Sequence, residues 1–100
     1  MLRHVVMWSF FDEAEGQTKA ANMAQVRQAL LALRPQVPEI LAMEIGEDIG
    51  IGRDPWDMVL VMSFADAAAL DRYQNHPEHK KISAYVAKVR RARACVDFIA

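Results

Sequence analysis

Cysteine is almost absent from this chain: Cys95 stands alone among 100 residues, so no internal disulfide can form and no cysteine pair of metal-ligand spacing exists. Charge of one sign is scarce too. The formal net charge is -1 and the pI is near 6.3, which excludes the basic footprint of a nucleic-acid binder. No apolar run approaches the roughly 20 residues of a membrane span. The start, Met1 to Phe11, is apolar but short, is interrupted by His4 and Ser9 and has no small-residue cleavage site, so a signal peptide is not expected there. A reducing cytoplasm is the expected home. Glycine is sparse: Gly50-Ile51-Gly52 lacks the third glycine of a dinucleotide loop and leads into a strand pattern, so it reads as a plain connection. No repeat appears beyond a weak strand-helix-strand echo between the halves, and there is no low-complexity tail.

What is present suits one compact domain spanning residues 1–100, with 53% hydrophobic and 25% charged residues. A chain this short buries only about two-thirds of its unfolded surface, so an oligomeric partner would help its modest core. A first strand is expected from Arg3 to Phe11, with His4, Val6, Trp8 and Phe10 on one face and Val5, Met7, Ser9 and Phe11 on the other. After the polar segment Asp12 to Gly16, the spacing of Met23, Val26, Leu30 and Leu33 predicts an amphipathic helix ending near Arg34, because Pro35 and Pro38 follow. A second strand is expected from Ile40 to Glu47 and a third from Asp57 to Phe64. Asp66 is placed to cap a helix that starts at Ala67, and Ala94 to Ile99 reads as the last strand.

The stretch Tyr73-Gln74-Asn75-His76-Pro77-Glu78-His79 carries the chemistry. Pro77 has a fixed φ and no amide hydrogen, so it fits the first turn of a new helix and forces His76 out of helical geometry. Beyond it, His79, Ile82, Val86 and Val89 mark one helical face, which puts His79 on the apolar side. Tyr73, three residues after Leu70, should share that residue's inward face. As the third residue of its helix, His79 lies where free amides and the helix dipole disfavour a positive charge, so a neutral imidazole able to act as a base is expected.

The element order is that of a ferredoxin-like split βαββαβ fold, an α+β arrangement with a four-stranded antiparallel sheet and helices on one face. Such a sheet normally shows polar residues on its uncovered side. The first and third strands do not, so an identical sheet from a second subunit is the expected cover, giving a homodimeric α+β barrel.

Four segments taken in order resemble the stress-responsive dimeric A/B barrel (Dabb) family: Arg3-His4-Val5-Val6-Met7-Trp8-Ser9-Phe10, Trp56 to Phe64, the Tyr-x-x-His-Pro-x-His run at Tyr73 to His79, and Val96-Asp97-Phe98. The resemblance covers nearly the whole chain. It implies that the face bearing His4, Val6 and Trp8 lies under the helices, where Leu60, Met62 and Ile82 add apolar lining to a substrate pocket. In the family's plant polyketide cyclase, the residues matching Tyr73 and His79 carry an aldol-type ring closure and the one matching His4 supports them. The resemblance therefore implies that Tyr73 and His79 are catalytic. It also shows departures: an additional tyrosine of the cyclase's first long helix is replaced here by Val26 or Arg27, and a histidine of its third strand by Met58. Related barrels include monooxygenases of activated aromatic substrates.

Each residue also has a plainer reading. His76 can simply cap amides, and His79 and Tyr73 can be satisfied core residues of a non-catalytic dimer. His76 and His79 are three apart, but Pro77 between them and the lack of a completing carboxylate or cysteine argue against a metal, and no cofactor motif is present. Trp8 and the methionines are core fillers. Lys80, Lys81, Lys88, Arg90, Arg91 and Arg93 read as a solvated helix face, and Cys95 as buried and inert.

Overall fold

The computed structural model describes residues 1–100. Strand β1 (Leu2–Phe10) is followed by a two-residue hairpin, β2 (Glu13–Ala14) and β3 (Gln17–Thr18). Glu15 and Gly16 form its turn with φ of 51° and 72°. Two successive left-handed residues give the tight turn that matches strand twist. The polar connection expected at Asp12 to Gly16 is therefore an ordered ribbon. Helix α1 (Lys19–Leu33) starts where the Thr18 hydroxyl accepts from the Ala21 amide, and it ends in a short 3₁₀ turn containing Pro35.

Strands β4 (Ala42–Glu47) and β5 (Met58–Phe64) follow, separated by the loop that holds Gly50 and Gly52. Asp66 caps α2 (Ala67–Asn75) by accepting from the Ala69 amide at 2.9 Å. Pro77 opens α3 (Pro77–Val89), and β6 (Arg90–Ile99) closes the chain. The first strand begins one residue earlier than expected, and the second begins later, because Ile40 sits buried in the turn before it. The last strand gains four residues at its start, so Arg90, Arg91 and Arg93 belong to the sheet and not to a helix face.

The sheet runs β4-β5-β1-β6 with every neighbour antiparallel. It is the ferredoxin-like α+β arrangement. The core lies between the helices and the inner sheet face, where Val6, Phe10, Leu60 and Phe64 meet Val26, Leu33, Tyr73 and Val89, all at most 2% exposed. Tyr85 ties α3 to α1 by donating to the buried Asn22 Oδ1 at 2.7 Å, while the Asn22 amide donates to the Ala14 carbonyl. Asp57 fastens the loop to β1: its carboxylate accepts from the Phe10 amide at 2.8 Å, and its own amide donates to the Trp8 carbonyl.

The outer sheet face is different. Val5 pairs with Val61 on one side and Val96 on the other, and Met7 pairs with Val59 and Ala94. Val96 is 62% exposed and Phe98 44%. No element of this chain covers these side chains.

Candidate functional site

Tyr73 lies in the last turn of α2 and His79 in the first turn of α3, and the Pro77 corner folds them together with ring centroids 4.4 Å apart. His76 holds the corner: its Nδ1 accepts from the Glu78 amide at 3.1 Å, which is the capping role open to it. The His79 Nδ1–H donates to the Gln74 carbonyl at 3.1 Å. A carbonyl can only accept, so this bond fixes the neutral tautomer and leaves Nε2 with a free lone pair. Partial burial lowers the His79 pKa below the ordinary histidine value, the Gln74 carbonyl pulls it back, and the nearby charges of His4 and Arg93 lower it further. Burial pushes the Tyr73 phenol well up, with Arg93 opposing. Tyr73 stays a neutral donor, and its hydroxyl makes no hydrogen bond within the chain.

These two side chains face a cavity of about 250 Å³ between sheet and helices. His4, Val6 and Trp8 of β1 and Leu60 of β5 form its floor; Leu30, Ile82 and Val86 close it with apolar surface. Of the residues the family resemblance assigned to a pocket, only Met62 does not line this cavity. It lies between Met43 and His4 in the sheet register and is completely buried in the core beside His4.

His4 has a partner that sequence reasoning did not assign to the site. Its Nδ1 and the Asp97 carboxylate are 2.5 Å apart, because His4 and Asp97 are direct cross-strand neighbours with their side chains on the same face. Nδ1 is thereby committed, and Nε2 is the nitrogen left to the cavity. The available signal was an acidic residue in an otherwise apolar terminal strand, but its pairing depends on register. Cys95 is exposed, not buried, because β6 is an edge strand that the helices leave uncovered. Its thiol is 3.7 Å from His4 Nδ1. Partial burial and the Asp97 carboxylate push that thiol up, which keeps it protonated.

The site, then, is a cavity of mixed apolar and polar lining with convergent imidazole and phenol groups on a ferredoxin-like α+β scaffold, a concave form that small-molecule sites take. The stress responsive A/B barrel domain family matches residues 2–100, and the chain belongs to that family. Among solved structures, a dimeric ferredoxin-like protein of unknown function from Bacteroides fragilis is similar, with 26% identity over 99% of this chain and 95% of that one and a TM-score of 0.87. A dimeric ferredoxin-like protein of unknown function from Thermobifida fusca shares 25% identity over 99% of this chain and 90% of that one, with a TM-score of 0.86. The hydroxynitrile lyase of Passiflora edulis shares the fold at 16% identity, covering 99% of this chain and 92% of that one, with a TM-score of 0.82. No curated protein matches the chain.

Proposed function

We propose that this chain forms a homodimer whose cavities bind a small hydrophobic carbonyl compound, on which His79 and Tyr73 perform acid-base chemistry of the cyclase type. The observation that carries this reading is the pairing of a tautomer-fixed His79 with an unengaged Tyr73 hydroxyl at one partly apolar cavity. His79 Nε2 takes a proton from a carbon flanked by carbonyls, and the Tyr73 hydroxyl donates to the developing enolate oxygen. The enolate carbon then attacks a second carbonyl of the same molecule, and the proton returns from His79 to the new alkoxide. His4, held by Asp97, positions the substrate from the floor with Val6, Trp8 and Leu60, while Ile82 closes the opposite wall. No metal or cofactor takes part in these steps.

The dimer is supported by the apolar outer sheet face and by the dimeric relatives from Bacteroides fragilis and Thermobifida fusca. The cytoplasm suits an exposed, unpaired Cys95 thiol. A non-catalytic dimer is the second reading, favoured by the packing of Tyr73 among Phe64, His4 and His79, with only 1% of Tyr73 exposed.

An NMR titration of His79, assigned with His79→Gln, separates the two readings when run with and without a panel of aromatic and polyketide-like carbonyl compounds. A resonance that titrates and moves on ligand addition supports the acid-base site. A silent, unperturbed His79 overturns it in favour of the non-catalytic dimer.

A further inference from the structure

The cavity has a charged end that its acid-base pair does not explain. Arg90 and Arg93 both line it, although residues three apart in a regular strand point to opposite faces. The register supplies the reason. Arg93 lies opposite Trp8, Ala92 opposite Ser9 and Arg90 opposite Phe10, so Arg91 is an extra residue in a β-bulge. The bulge turns Arg90 onto the inner face beside Arg93, as bulges near binding sites do when they re-aim a side chain. Neither guanidinium is within ion-pair distance of a carboxylate. The neighbouring Asp97 carboxylate is engaged by His4. Two cations without counter-ions thus share a small cavity of mixed polar and apolar lining with a neutral imidazole and a neutral phenol.

Building on the proposed small-molecule site, we infer that the ligand is an organic acid whose carboxylate is bound by Arg90 and Arg93 while its carbonyl end reaches Tyr73 and His79. A guanidinium fork matches the two oxygens of a carboxylate, and partial exclusion of water strengthens the pair. The cavity's size restricts the ligand to a small acid, of the class of aryl or keto carboxylic acids.

The test compares 4-acetylbenzoate with methyl 4-acetylbenzoate by calorimetry on the wild-type protein, with the His79 ring resonances reporting occupancy of the cavity. The acid is expected to bind about ten- to a hundredfold more tightly than the ester, as charge-assisted hydrogen bonds allow. That preference should weaken with added salt. Arg90→Gln and Arg93→Gln should each reduce it, whereas Arg91→Gln, which alters the bulge residue outside the cavity, should retain it; thermal unfolding of each variant verifies folding. Equal binding of acid and ester, or a preference that survives both substitutions, overturns the arginine assignment and leaves the cavity reading standing. Failure of both compounds to perturb His79 overturns both.

Discussion

Replacing Val96 with aspartate tests the proposed pairing of two sheets. In the single chain Val96 is 62% exposed, at the register position opposite Val5 on the outer face. Complete burial of a valine is worth about 1.5 kcal/mol, so covering the remaining exposed part contributes roughly 1 kcal/mol per protomer and about 2 kcal/mol per dimer through the two-fold axis. Each aspartate must also be buried, protonated, against apolar side chains at a cost of about 1 kcal/mol or more. The total loss is about 4 kcal/mol, a weakening of the dimer of roughly a thousandfold. Sedimentation equilibrium at micromolar concentration should show a wild-type dimer and a Val96→Asp monomer, with far-UV circular dichroism confirming that the fold persists. Leu31→Asp is the control, since Leu31 is 51% exposed on α1, on the other side of the molecule, and should leave the dimer intact. A wild-type protein that is a folded monomer, or a Val96→Asp variant that dimerises as tightly as wild type, refutes the reasoning.

Val5→Asp or Val59→Asp, nearer the middle of the same face, should abolish the dimer in the same sedimentation experiment. Tyr73→Phe should change stability by less than about 1 kcal/mol in thermal unfolding, because the lost hydroxyl has no partner in the chain. The same change should cut turnover by a factor of about a hundred or more if that hydroxyl serves the enolate. The His79 pKa is lowered on folding, so between the ordinary value of 6.5 and the lowered one the unfolded chain binds more protons. His79 therefore contributes stability that is full above pH 6.5 and is lost as pH falls through its folded pKa; denaturant titrations should show wild type losing ground to His79→Gln on acidification. Phe64→Ala, which removes a completely buried ring packed on Tyr73 and His4, should cost about 3–5 kcal/mol in the same assay.

Much of this protein was legible along the chain because the signals are local. Spacing located α1, and Asp66, Pro77 and His76 marked helix boundaries by their own hydrogen-bonding and φ preferences. Strand alternation assigned His4, Val6 and Trp8 to one face, and the apolar character of both faces pointed to a cover that one chain lacks. The tertiary structure decided what depends on register and on closure of the sheet. It paired His4 with Asp97, which is 93 residues away in sequence, and it put Cys95 on an exposed edge. It also buried Met62 in the core beside His4, out of reach of the cavity, and used one bulged residue to turn Arg90 inward. No local preference encodes a cross-strand neighbour or a one-residue slip, since both are fixed only when distant segments pack together.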